Sequence, residues 1–299
     1  MTIFILDGFA LLHRVYHALP KFTDKEGNPT GALYGFCSVT LKVLRDYEPD
    51  VMCAAFDTPE TTFREEMLAE YHANRPETAD DFKQQIEPVK EFLRALHIPV
   101  FEASGFEGDD VLGTLVMHFR NWYGAQADIR IVTGDRDSLQ LVDEHTQVYL
   151  MRTGITNIEV YDEAMVKEKM GLEPKQIPDY KALAGDASDN FPGVRGIGPV
   201  SAKKLINAFG SVEALYEAIE HNAASSISKP VLEKLVAGKE QAILSKNLAV
   251  IKTDLDLDID DVALATKPCV TVQAEELLAK RGFKTLLKRA QESNQQTLL

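Results

Sequence analysis

Three short apolar runs in this 299-residue chain each stop at an aspartate: Thr2-Ile-Phe-Ile-Leu6 at Asp7, Val51-Met-Cys-Ala-Ala-Phe56 at Asp57, and Asp128-Ile-Arg-Ile-Val-Thr133 at Gly134-Asp135. Runs this short, rich in β-branched and aromatic residues, read as buried strands. Helical periodicity occupies 9–18, 31–46, 80–96 and 107–123, and 98–101 reads as a further short strand. Strands alternating with helices predict an α/β fold: a mostly parallel central sheet with helices on both faces. Ligands of such sheets gather at the carboxyl ends of the strands, where all three aspartates fall.

Further acids come in tight sets: Glu107-Gly-Asp109-Asp110, Asp135-Arg-Asp137 and Asp186-Ala-Ser-Asp189. Helix capping accounts for any one set, because a carboxylate satisfies free N–H groups and the dipole at a helix start. It does not account for nine carboxylates, Asp7, Asp57, Glu107, Asp109, Asp110, Asp135, Asp137, Asp186 and Asp189, placed at strand ends, helix starts and loops. Oxygen ligands without clustered His or Cys suit Mg2+ or Mn2+. Two such ions about 3.5–4 Å apart can clamp a phosphodiester. Asp254-Leu-Asp-Leu-Asp-Ile-Asp-Asp261 lacks the glycine and terminal Glu of a calcium loop and reads as a connector or short edge strand.

A net charge of −14 runs against nucleic-acid binding, yet the basic residues are local. Between Gly193 and Asn207 stand Arg195, Lys203 and Lys204 with no acid, and Lys280, Arg281, Lys284, Lys288 and Arg289 crowd the last helix. Gly193, Gly196 and Gly198 allow a tight turn that brings backbone N–H groups close to a phosphate. The span 185–208 is therefore a helix-hairpin-helix for the DNA backbone, inside a region that turns largely helical after about residue 160. Cys37, Cys53 and Cys269 are too scattered for disulfides or zinc and read as small buried hydrophobes. With no apolar run of about 18 residues, the expectation is a cytoplasmic protein without membrane contact.

Taken in order, Leu6-Asp7-Gly8 with Tyr16-His-Ala-Leu-Pro20, Gly31-Ala-Leu-Tyr-Gly-Phe36, Phe56-Asp57, Phe63-Arg64, Glu107-Gly-Asp-Asp110, Thr133-Gly-Asp-Arg-Asp137, Gly185-Asp-Ala-Ser-Asp-Asn-Phe-Pro-Gly193 and the hairpin resemble the 5′-3′ exonuclease domain of bacterial DNA polymerase I, within the wider flap endonuclease family. The resemblance implies a PIN-like sheet in a nuclease domain over 1–180, with a helical arch at about 60–96 that threads the 5′ strand. A helical DNA-binding region over 181–299 would follow. It further implies that Asp7, Asp57, Glu107 and Asp109 surround one metal ion. Asp135, Asp137 and Asp186 would hold a second, with Asp110 and Asp189 ligating through water or in support. Backbone carbonyls of Leu183, Ala184, Pro192, Val194 and Ile197 would hold K+ in the hairpin.

The implied activity is metal-dependent hydrolysis of DNA near 5′ ends, at flaps, nicks or overhangs, by a monomer acting in replication and repair. Arg14, Arg64, His72, Arg75, Arg195, Gly196, Gly198, Lys203 and Lys204 are the expected DNA contacts. The family's Tyr-Lys-x-x-Arg run is here Tyr71-His72-Ala73-Asn74-Arg75, and imidazole is largely neutral near pH 7. Residues 61–90 carry four basic and seven acidic residues, so Arg64 and Arg75 are the expected strand contacts there. Gln295 to Leu299 loosely match tails that dock on bacterial sliding clamps. The competing readings are a DNA-binding module whose nuclease has decayed and a metal-dependent RNase of similar fold; intact acids oppose the first and the hairpin opposes the second.

Overall fold

The computed structural model describes residues 1–153 and 157–297. Its centre is a six-stranded sheet of β1 (Thr2–Asp7), β2 (Val51–Ala55), β3 (Val100–Phe101), β4 (Asp128–Thr133), β5 (Thr146–Thr153) and β6 (Asn157–Tyr161), in the order β3-β2-β1-β4-β5-β6. All neighbours are parallel except β5 and β6. From β1 the chain moves outward one way to β2 and β3, then crosses back to β4 on the other side. The point where strand order reverses therefore lies between β1 and β4, the place where such sheets form a ligand crevice.

Alternation along β1 explains the layers. Phe4 and Leu6 point into one core, Ile3 and Ile5 into the other, and all four are fully buried. Each such side chain contributes about 1.5–3 kcal/mol relative to exposure. The first core is covered by α1 (Gly8–Ala18), α2 (Gly31–Tyr47) and α5 (Ile86–Ala95), through Leu11, Phe36 and Phe92. The second is covered by α6 (Gly108–Tyr123), through Val111, Leu115 and Phe119. A third core joins α8 (Ile177–Ala184), α9 (Pro199–Phe209), α10 (Val212–Glu220), α11 (Lys229–Ala237) and α12 (Lys239–Ala249) around Leu183, Ile206 and Leu215.

Several elements differ from the sequence expectation. The β5–β6 hairpin went unforeseen. The helix expected over 80–96 is split into α4 (Asp80–Lys83) and α5, because the buried Gln85 side chain turns inward to accept from Leu33 N at 3.0 Å and donate to the Asp81 carbonyl at 2.7 Å. The arch is mostly turns: α3 (Phe63–Met67) is short, and 68–79 has no helix. After α7 (Glu163–Met170) and the third core, the chain returns. α14 (Val272–Lys280) and α15 (Lys284–Thr297) place Leu278 and Leu286 in the first core, in keeping with the absence of a linker that would free a second domain.

Asp254 to Asp260 form a connector whose Leu255, Leu257 and Ile259 lie on the second core, ahead of α13 (Asp261–Ala265). Cys37 and Cys53 are buried as expected, whereas Cys269 is exposed beside His97. Leu298 and Leu299, the end of the clamp-like tail, lie outside the described residues. Among the described residues, no helix is long and apolar enough to cross a membrane.

Candidate metal centre

Local hydrogen bonding draws the acids together. Asp7 ends β1 and caps α1, its Oδ1 accepting from Ala10 N at 3.1 Å, while its Oδ2 accepts from the Thr133 hydroxyl at the end of β4. Thr133 Oγ1 in turn accepts from Asp135 N at 2.8 Å, and Asp135 Oδ1 from Asp137 N at 2.9 Å. Across the sheet, Asp57 Oδ1 accepts from Gly108 N at 3.0 Å, which pulls the first turn of α6 onto the end of β2. A Cβ on Gly108 would lie 3.0 Å from Asp57 Oδ2, so glycine lets that turn close fully. Asp7, Asp57, Glu107, Asp109, Asp135, Asp137 and Asp189 line one cleft of about 90 Å³. Asp137, Asp186 and Asp189 each offer an oxygen within 4.8 Å of the others.

The two sides of this cluster differ electrically. Burial, reinforced by neighbouring carboxylates, pushes Asp7 up to about 7 and Asp109 well above the usual range. Burial likewise pushes Glu107 and Asp137 up to about 7, against the pull of Arg64 and Lys181. Asp57 is raised by burial too. On the far side burial acts against Asp189, yet the His72 hydrogen bond and the charges of Lys181 and Arg75 hold it at about 2. Asp186 is also lowered: burial raises it, but Lys181 outweighs that.

Positive charge on the far side comes from His72 and Arg75 at Asp189 and from Lys181 of α8. Lys181 is buried, its Nζ joins Asp137 and Asp186, and it lies 4.0 Å from Asp189 Oδ2. An ammonium thus stands among the three acids as a cation would. On the other side Asp7, Asp57 and Asp109 make no ion pair among the described residues, and Asp7 and Asp57 accept from Thr133 and from the backbone N–H groups of Ala10 and Gly108, a donor set that fits a hard divalent ion. Lys181 was absent from the residues the sequence nominated; its one signal was a lysine in the helix leading into Asp186.

One expected site residue is corrected, and the role of another is narrowed. Arg64 is not available to DNA: it is buried, and all five of its N–H donors are taken. Nε donates to the Leu248 carbonyl at 2.8 Å, Nη1 to Glu107 and Asp110 at 3.0 and 2.6 Å, and Nη2 to Asp110 and the Val250 carbonyl at 2.8 and 2.9 Å. Asp110 is fully buried, and its oxygens also accept from Lys252 N at 2.8 Å and Glu107 N at 3.2 Å, so of the two roles expected of it, ligation through water or support, its contacts are those of support, as the partner of Arg64 and Glu107.

The segment after α3 lies down on the 186–190 loop. His72 N donates to the Asp189 carbonyl at 2.9 Å, Asn74 to the Ala187 carbonyl at 2.9 Å, and Asn190 to the Glu70 carbonyl at 2.6 Å. The Tyr71 ring stacks on Phe191, centroids 6.4 Å apart. His72 and Arg75 therefore rest on Asp189, at 3.3 and 2.7 Å, and roof the cleft.

The hairpin connects α8 to α9. A Cβ on Gly193 would lie 2.3 Å from both Gly185 N and the Leu183 carbonyl oxygen, so only glycine allows the two chain segments to meet. Gly196 is left-handed at φ 82°, and Lys234, which the sequence did not single out, donates to its carbonyl at 3.2 Å. Arg195 and Lys204 are exposed, Lys203 is half-buried, and Gly198 caps α9. Of the expected potassium ligands, the Pro192 carbonyl already accepts from both Ser245 and Gln241. Leu183 and Val194 accept one bond each, from Val194 N and Ile197 N.

Residues 2–171 match the family profile described as 5′-3′ exonuclease, N-terminal resolvase-like domain, and residues 172–271 that described as 5′-3′ exonuclease, C-terminal SAM fold. The chain belongs to the 5′-3′ exonuclease family. It is 42% identical over 291 residues to DNA polymerase I of Caldicellulosiruptor bescii, covering 97% of this chain and 33% of that protein. Against DNA polymerase I of Bacillus subtilis the identity is 38% over 293 residues, covering 97% and 32%. The chain thus spans about a third of the length of these relatives.

Among solved structures, zinc-bound T5 5′-exonuclease matches with a TM-score of 0.68 at 20% identity, covering 99% of each chain. The catalytic core of Rad2 in complex with DNA substrate matches with a TM-score of 0.60 at 17% identity, covering 97% and 92%. Both likenesses establish the fold: a mostly parallel sheet with a helical C-terminal unit.

Proposed function

We propose that this chain hydrolyses DNA phosphodiesters near 5′ ends with Mg2+ or Mn2+, selecting flaps, nicks or overhangs. The observation that carries the reading is the convergence of seven carboxylates on one cleft at the carboxyl ends of the strands, in a member of this family. Asp7, Asp57, Glu107 and Asp109 would hold one ion, and Asp135, Asp137 and Asp186 another, with Asp189 in support. Bound divalent ions supply an activated water and neutralise the developing charge on the phosphate.

The rest is done by the chain's own groups. Lys181 releases Asp137 and Asp186 as ligands, which leaves its ammonium free beside the reacting phosphate. The present cleft of about 90 Å³ is far below the roughly 300–1,000 Å³ of ligand pockets, so the segment carrying His72 and Arg75 must lift from Asp189 to admit a strand. Once lifted, those two side chains face the strand. Arg195, Lys203, Lys204 and the first N–H groups of α9 hold the duplex backbone. Leu183, Ala184, Val194 and Ile197 offer carbonyls to K+, which would link hairpin and phosphate.

The test is cleavage of a 5′-labelled flap duplex in Mg2+ with products mapped by length. Cuts at or near the flap junction by the wild type, and none by Asp135→Ala, are expected. Binding without any cut would favour a decayed module.

A further inference from the structure

One helical turn apart on α1 stand His13 and His17, both exposed. Residues at i and i+4 share a helix face, and here the two rings turn their Nε2 atoms towards one another at 3.1 Å. Among the described residues, neither ring makes another hydrogen bond or an ion pair. The pair has a fixed seat. The His13 ring stacks on Phe9 of the same helix, centroids 6.4 Å apart, and meets Phe82 of α4 edge-on at 6.0 Å. Phe9 lines the carboxylate cleft, so the pair lies one turn along α1 from the cleft wall, beside the base of the arch. Arg14, on another face of α1, lines a neighbouring groove together with Asp135 and Asp137.

A shared proton can hold two imidazoles in this way, and a divalent ion can take its place. Two nitrogen ligands of a tetrahedral zinc ion stand about 3.3–3.4 Å apart, which a slight opening of this contact reaches. Imidazole suits Zn2+, Ni2+ and Cu2+, whereas Mg2+ keeps to oxygen and so to the carboxylates. Neutral imidazole is the ligating form, and partial burial of the His13 ring, with His17 and Arg75 nearby, holds it below the usual imidazole range.

The arch gives such an ion a use. Of the four basic residues in 61–90, Arg64 is buried, Arg75 rests on Asp189, Lys90 pairs with Glu102, and Lys83 lies 3.6 Å from Glu77. Seven acids stand in the same span, so a passing strand meets little uncommitted positive charge there. Two imidazoles fill half of a tetrahedral shell and leave the rest to water or to a phosphate oxygen.

We infer that His13 and His17 form a site for Zn2+ or a similar divalent ion with affinity for nitrogen, separate from the carboxylate centre, and that the ion takes a phosphate oxygen of the 5′ strand as a further ligand. The site stands apart from the nuclease reading above; its use on the 5′ strand rests on that reading.

Zinc binding is measured first, by titrating Zn2+ against a chromophoric chelator in saturating Mg2+, for the wild type, His13→Asn, His17→Asn and the double variant. Each substitution should raise the half-saturating Zn2+ concentration about tenfold or more, at least what loss of a ligand's supporting partner costs. Flap-duplex binding is then measured in the slowly cutting Asp135→Ala background, with and without Zn2+. Zinc should tighten binding about tenfold where both histidines are present, and not in the double variant or on a duplex without a 5′ single strand. Equal zinc affinity in the wild type and the double variant would overturn the site. Zinc held by both histidines with no change in flap binding would overturn its use on the strand. A wild type that binds zinc but cuts no flap in Mg2+ would instead sink the nuclease reading and leave the site standing. Both histidines are exposed, so the variants should melt with the wild type, which separates lost ligation from lost folding.

Discussion

The carboxylate centre and the glycine hairpin meet at residues 185–190, yet they are made of opposite materials. The centre crowds charged side chains into a buried cleft, where burial, helped by neighbouring carboxylates, holds several of them near a pKa of 7. The hairpin has few charges and relies on backbone: Gly193 allows two segments to touch, and Gly196 turns left-handed. A site made of side chains can be emptied by single substitutions and depends on its counter-ions. A site made of backbone depends on conformation, and its charges tune affinity in small steps.

The largest effect expected on this contrast is on stability. Arg64→Ala leaves Asp110 buried and unpaired and breaks links to Leu248 and Val250, so it should cost about 3–5 kcal/mol. Thermal or urea unfolding measures this, and a loss near zero would mean that Arg64 is not the buried tie described above. Arg75→Ala, whose residue is half exposed, should change melting little.

Next in size is the response to metal and pH. Asp7, Glu107 and Asp137 have folded pKa values raised to about 7, so the folded chain keeps protons that the unfolded chain releases near 4. Their contribution to stability is therefore full below about 4 and is lost as pH rises towards 7. Asp189, at about 2, acts oppositely and loses its contribution in acid. Asp189 is ionised throughout the range from pH 5 to 8, where the raised groups lose their protons, so the metal-free protein should melt higher at pH 5 than at pH 8. At pH 8, Mg2+ at a hundredfold excess over its Kd should raise melting by roughly 5–10 °C relative to EDTA. Equal melting in Mg2+ and EDTA would remove the metal centre from the comparison.

The smallest effects belong to the hairpin. Lys204→Ala should weaken duplex binding about tenfold or less, evenly across sequences, and reduce the salt slope by about one. The cleavage rate at saturation should not change. A fall in that rate instead of affinity would show that the hairpin and the centre are not separable.

The same contrast governs how much could be read from sequence. The strand runs ending in Asp7, Asp57 and Asp135 were legible because parallel strands buried on both faces are continuous apolar runs. The hairpin was legible because glycines mark backbone geometry directly. What stayed hidden depended on contacts across long separations. Lys181 joins Asp137 over 44 residues, and Arg64 reaches Leu248 over 184. The sequence marked Arg64 as a strand contact in the arch, whereas the fold buries it among five acceptor atoms. The roofing of the cleft by Tyr71 to Arg75 was equally invisible, since it rests on Asn74 and Asn190 meeting main-chain carbonyls of each other's segments.

The most direct measurement is the rate of flap cleavage as Mg2+ is titrated into metal-free protein, for the wild type and for Asp135→Ala at equal DNA occupancy. The wild-type rate should rise from background to saturation with Mg2+ and collapse again in EDTA. The variant should bind the same DNA yet cut on the order of a thousandfold more slowly, since metal clamping supplies several kcal/mol. Cleavage that persists in EDTA, or that Asp135→Ala leaves undiminished, would contradict a carboxylate-held metal centre.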